Sequence, residues 1–97
     1  MYKEILKESS NVIEVMKILS NKKRLLLLCS LSEWEKNVSQ IIKNTNISQS
    51  QTSQFLAKLK LQWIVESKQE WKEIFYKIKD KKIINMIENI KNLYCKI

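Results

Sequence analysis

The chain has 97 residues, with 18 Lys+Arg against 10 Asp+Glu, a formal net charge of +8, and no His, Gly or Pro. That length holds one compact domain, residues 1–97, and 44% hydrophobic against 29% charged residues is too apolar a balance for a disordered basic tail. The lack of His removes imidazole dyads and triads and every zinc site that needs one, and the longest apolar run, Leu25–Cys29, is far too short to span a membrane.

The N-terminal stretch MYKEILKESS lacks the apolar block of a secretion signal, so a cytoplasmic location is expected. Excess positive charge points to an anionic partner, nucleic acid first. Lys, Ile and Asn supply 17, 14 and 8 residues, the composition of an A/T-rich genome, so charge alone is a weak guide. The pattern along the chain has to decide.

Tyr2, Ile5, Leu6, Ile13, Met16 and Leu19 recur at helical spacing and predict a first amphipathic helix over about 3–19. Asn21 is the expected N-cap of a second helix, Lys22 to about Ser32, with Leu25, Leu28 and Cys29 on one face. Asn37 caps a short third helix over about 38–44, with Ile41 and Ile42 inward, and Asn44 and Asn46 fall in the turn after it. Ser48 and Gln51 fit a capping box, opening a fourth helix over 49–61 that buries Thr52, Leu56 and Leu59. The period then switches to two: residues 64–67 and 73–78 read as strands separated by 68–72. Asp80 caps a last helix over about 81–95, whose stripe of Ile83, Ile84, Ile87, Ile90, Leu93 and Tyr94 is wider than one small domain covers. The fold class is mainly α with a small β ribbon: a winged helix-turn-helix, paired as a homodimer through its first and last helices.

The candidate DNA-reading residues are Ser48, Gln49, Ser50, Gln51, Ser53 and Gln54 at the start of the fourth helix. Gln matches the N6/N7 edge of adenine and Ser donates or accepts at any base edge, so an uncharged tip between cationic flanks is what base reading needs. Lys58, Lys68 and Lys72 are candidate phosphate contacts, with Lys22, Lys23, Lys43 and Lys60 as further flanking cations. Any one of them is as readily a solubilising lysine. Arg24 suits either a phosphate or a structural carboxylate such as Glu14 or Glu88. Trp34, Trp63 and Trp71 are expected to pack, since they form no series along one groove. No nucleophile is paired with a base, so no catalytic residue and no cofactor are assigned. Cys29 and Cys95 form no CxxC motif and, without His, no metal site is expected. Cys29 reads as a small buried hydrophobe, whereas Cys95 beside Lys96 reads as exposed and electropositive.

With these residues identified, the chain resembles the ArsR (SmtB/ArsR) family of bacterial winged-helix repressors over nearly its full length. The likeness lies in residues 19–25 (LSNKKRL), 47–56 (ISQSQTSQFL), 64–67 (IVES) and 73–78 (EIFYKI). The paired-Cys metal signature of the third helix is missing from residues 38–42 (VSQII), and an acid/His site on the last helix cannot exist. The positions of Cys29 and Cys95 instead resemble the two thiols of the family's sulfide- and persulfide-responsive branch. That resemblance implies that reactive sulfur species or oxidants join Cys29 to Cys95 by a disulfide or polysulfide bridge, releasing an inverted-repeat DNA operator. Phe55 stands where the family often has His, Trp63 where it often has Gly, and Lys68 where a wing Arg is common. The competing readings are a regulator that displaces another DNA-bound protein, and a winged-helix protein-interaction module with inert cysteines.

Overall fold

The computed structural model describes residues 1–95. Helices α1 (Tyr2–Leu19), α2 (Lys22–Glu33), α3 (Val38–Thr45) and α4 (Gln49–Leu61) precede strands β1 (Val65–Glu70) and β2 (Glu73–Ile78) and helix α5 (Lys81–Tyr94). Four helix starts are fixed by side-chain caps. Asn21, Asn37, Ser48 and Asp80 accept from the backbone N–H groups of Arg24, Gln40, Gln51 and Lys82 respectively, each cap worth roughly 1 kcal/mol. The complete capping box is at Asn37 and Gln40, not at Ser48 and Gln51, because the Gln51 side chain is used elsewhere.

The turn between α3 and α4 depends on Asn46, which sits at φ 59° and donates its N–H to the Ile42 carbonyl at 2.7 Å. A short polar side chain makes this left-handed corner tolerable without glycine. Asn44, expected in the turn, stays inside α3. The corner after α4 is harder: Trp63 itself adopts φ 62°, and the Ile64 N–H reaches back to the Leu59 carbonyl at 3.0 Å. A bulky residue there costs about 1–2 kcal/mol relative to ordinary geometry.

Strands β1 and β2 pair antiparallel from Val65–Ile78 to Glu70–Glu73, leaving a two-residue turn of Trp71 and Lys72. β1 therefore runs three residues beyond the expected 64–67 and begins one later. Its second half is solvent-exposed and polar, so pairing with β2 rather than its own pattern defines it. Trp71 supplies the positive φ, 59°, that such a short turn requires.

The core joins Leu27, Leu28 and Leu31 of α2 to Ile41, Ile47, Leu56, Leu59, Ile64, Val65, Ile78, Ile83 and Ile87. Thr52, Leu56 and Leu59 are buried on α4 as expected, although the Thr52 hydroxyl has no partner among the described residues. α2 turns Leu27 and Leu31 inward with Leu28, while Leu25 and Cys29 are only half-buried. The three tryptophans are not core residues: Trp34 is 63% exposed, Trp63 72% and Trp71 93%. A chain without glycine spends two of them on left-handed corners, which face solvent.

Two basic residues hold the helices together. Arg24 donates to the carbonyls of Ile18 and Lys17 at 3.0 and 2.9 Å, closing the C-terminal end of α1 instead of pairing with a carboxylate. Lys36 is only 2% exposed and bonds the Ser30 carbonyl and Glu33, the latter at 2.8 Å, while its backbone pairs with Tyr76 of β2.

Candidate nucleic-acid interface and thiol pair

Because Thr52, Leu56 and Leu59 face inward, the rest of the first two turns of α4 is left outside. Ser48, Gln49, Ser50, Ser53 and Gln54 are exposed, and Gln51 is half-buried. The Ser48 hydroxyl accepts from the Gln51 N–H at 3.1 Å, so it closes the helix as well as fronting it. The Gln51 side-chain oxygen accepts from Lys23 Nζ at 2.8 Å across the α2–α4 junction. The bond occupies the Gln51 carbonyl oxygen and leaves its amide N–H groups without a partner among the described residues, a pairing that sequence alone did not indicate.

The flanking cations differ in how free they are. Lys22, Lys43, Lys58 and Lys72 are exposed and make no ion pair among the described residues. Lys60 donates to the Ser67 hydroxyl at 2.7 Å, bracing α4 against β1. Lys68 lies 2.9 Å from Glu70, and the bonded carboxylate raises the pKa of its ammonium group. Together with the Lys77–Glu66 pair at 3.3 Å, this leaves the ribbon nearly self-neutralised, in contrast to the start of α4.

The two thiols lie on neighbouring elements. Cys29 is half-buried on α2, Cys95 is exposed at the end of α5, both are free, and α5 packs on α2. Burial pushes the Cys29 thiol above the usual range; Lys91 partly offsets this, while Cys95, Glu33 and Glu88 push upward. Cys29, expected as a small buried hydrophobe, does pack against the core but is only half-buried. The suggested help from Lys96 to Cys95 lies outside the described residues. Cys29 borders a pocket of about 370 Å³ with Ser30, Asn44 and Lys91. Lys91 was missed by sequence reading, yet its i, i+4 spacing to Cys95 puts both on one face of α5 and was a legible signal. Among the described residues, no group of three or more Cys, Asp or Glu is arranged to hold a metal ion, and no helix is long and apolar enough to cross a membrane.

Residues 21–67 match the profile of the bacterial regulatory proteins of the arsR family. The chain is 33% identical to the transcriptional activator HlyU of Vibrio cholerae, covering 95% of this chain and 85% of that protein. It is 34% identical to the HTH-type transcriptional regulator YgaV of Escherichia coli, covering 84% and 83%. The crystal structure of the transcriptional repressor BigR from Xylella fastidiosa superimposes with a TM-score of 0.91 at 29% identity, over 100% of this chain and 99% of that one. The chain thus belongs to the arsR family of bacterial regulatory proteins and is a transcriptional regulator.

Proposed function

We propose that the protein is a homodimeric repressor whose hold on DNA is released when Cys29 and Cys95 become linked. The observation that carries this reading is the pair of free thiols on α2 and at the end of α5, two helices that pack together, with Cys95 close enough to act on the ionisation of Cys29. α1 contributes no buried residue and exposes Tyr2, Ile5, Leu6, Ile13 and Met16, an apolar face that a second copy would cover. Two-fold pairing through α1 and α5 sets two copies of α4 about 34–36 Å apart, one turn of DNA, so each half of an inverted repeat is read in the major groove.

Gln49, Ser50, Ser53 and Gln54 meet base edges, while Ser48 closes the helix and Lys58, Lys68 and Lys72 contact phosphates. With its carbonyl oxygen taken by Lys23, Gln51 offers donors that suit the O6/N7 edge of guanine better than the mixed edge of adenine. Lys23→Met should therefore lower discrimination for one guanine per half-site by about 1–3 kcal/mol, read from binding to operators substituted at each position. Equal loss at every position would make Lys23 a phosphate contact only.

The switch needs only a hydropersulfide, RSSH. The exposed Cys95 thiolate attacks its outer sulfur, the S–S bond breaks, RS⁻ leaves, and Cys95 carries –SSH. The Cys29 thiolate then attacks the Cys95 sulfur, forming Cys29–S–S–Cys95 and releasing HS⁻. Both cysteines are oxidised and the sulfane sulfur is reduced to sulfide; additional sulfane sulfur held between them gives the polysulfide form. The link moves α5 against α2 and changes the spacing of the paired α4 helices. A coupling of about 1–3 kcal/mol suffices for a useful switch.

Cys95→Ser should bind the promoter like the unmodified protein yet stay bound after persulfide treatment, in mobility-shift assays read beside intact mass. Release from DNA in that variant would remove the two-thiol switch. Because the V. cholerae relative is named an activator, displacement of another DNA-bound protein is the second reading. Repression by purified protein with polymerase alone favours direct blocking; no effect favours displacement.

A further inference from the structure

The half-buried thiol has a cation beside it that the chemistry above leaves unused. Lys91 lies one helical turn before Cys95 on α5, and its Nζ donates to the Ser32 hydroxyl on α2 at 2.7 Å. The same hydroxyl donates to the Cys29 carbonyl at 2.7 Å. The ammonium is thereby anchored to the turn that carries Cys29, and both residues line one pocket.

The other charged groups acting on Cys29 oppose thiolate formation. Glu33 projects from the end of α2, where Lys36 holds it at 2.8 Å, and Glu88 comes from α5. Burial is the larger obstacle, and Lys91 is the cation set against both. A desolvated thiol hemmed by carboxylates is slow to become a nucleophile, since the thiolate is the attacking species. An opposing positive charge held at a fixed place restores part of that ability.

We propose that Lys91, anchored by Ser32, is the positioning residue that enables Cys29 to close the bridge onto persulfidated Cys95. The inference rests on the thiol switch described above and assigns its second step to one side chain. Cys95, exposed at the helix end, takes the first sulfur without help. Lys91 governs only the attack by Cys29, and its link to Ser32 keeps α5 and α2 in register while that attack occurs.

The test treats reduced, full-length protein with glutathione hydropersulfide and follows acid-quenched intact mass over time, for the wild type, Lys91→Met, Lys91→Arg and Ser32→Ala. Lys91→Met should gain the Cys95 adduct at the wild-type rate but close the bridge about three- to fivefold more slowly, because the loss of thiolate is partly offset by the greater nucleophilicity of a more basic thiol. Lys91→Arg should recover most of that rate, and Ser32→Ala, which keeps the charge but frees it, should fall between. In a Cys95→Ser background, the pH profile of Cys29 alkylation should move to higher pH in Lys91→Met and return in Lys91→Arg, which a purely structural role would not produce. Unchanged closure and an unchanged profile in Lys91→Met would overturn the proposal. A wild type that never bridges would instead defeat the switch, with the alkylation profile still deciding whether Lys91 sets the Cys29 thiol.

Discussion

Raising the salt from about 50 to about 200 mM should weaken operator binding by about 10³–10⁵-fold if the dimer neutralises roughly 6–10 phosphates. Each protomer provides Lys22, Lys43, Lys58 and Lys72 as exposed ammonium groups unpaired among the described residues, with Lys23 partly engaged by Gln51. Doubled by two-fold symmetry, that supply falls within the range. Lys68 contributes less, because Glu70 already neutralises it at 2.9 Å. Removing one phosphate contact per protomer with Lys58→Ala should reduce the slope of log affinity against log salt by about two for the dimer. Gln49→Ala and Ser53→Ala should leave that slope in place and instead shrink the gap between operator and unrelated DNA. Fluorescence anisotropy over a salt series measures both quantities. A flat salt response, or equal affinity for all DNA, would place the partner elsewhere and favour a protein-interaction module.

The second large effect is expected at Lys36, a residue with no assigned role in DNA or sulfur chemistry. Its stem fills core volume at 2% exposure while its ammonium satisfies the Ser30 carbonyl and pairs with Glu33. Lys36→Ala should cost roughly 2–5 kcal/mol in urea unfolding, as buried large-to-small changes do. Lys36→Met retains most of the volume but leaves the carbonyl unpaired, so about 1–3 kcal/mol is expected. Similar losses in both variants would assign the cost to the hydrogen bond; a loss confined to Ala would assign it to packing. An Ala variant within about 0.5 kcal/mol of the wild type would mean that this lysine behaves as a surface residue.

The helices were legible in the sequence because four of the five starts carry a capping side chain and the apolar residues repeat at helical spacing. Asn21, Asn37, Ser48 and Asp80 act where their chemistry placed them. The exposed tip of α4 followed from the same periodicity, since burying Thr52, Leu56 and Leu59 leaves Gln49, Ser50, Ser53 and Gln54 no other side. Residues whose position depends on distant partners were not legible. Lys68, Gln69 and Glu70 carry no alternation of their own and become strand by pairing with Phe75, Ile74 and Glu73. Lys36 looks like any surface lysine until α2 and β2 close around it. The Lys23–Gln51 bond joins residues 28 positions apart, so no local pattern announces it. Trp63 and Trp71 read as packing residues because they form no series along one groove; in the fold both stand at left-handed corners of a chain that has no glycine.

That missing glycine has a mechanical consequence. A chain with no glycine has no residue that swivels at low steric cost, and its left-handed corners at Asn46, Trp63 and Trp71 are all held by residues that carry a Cβ. Displacement imposed at one end of α5 is therefore passed on as tilting of intact rods, with little lost to local bending. Under the proposed switch, such stiffness would carry a shift near the sulfurs across to the DNA-reading side of the molecule.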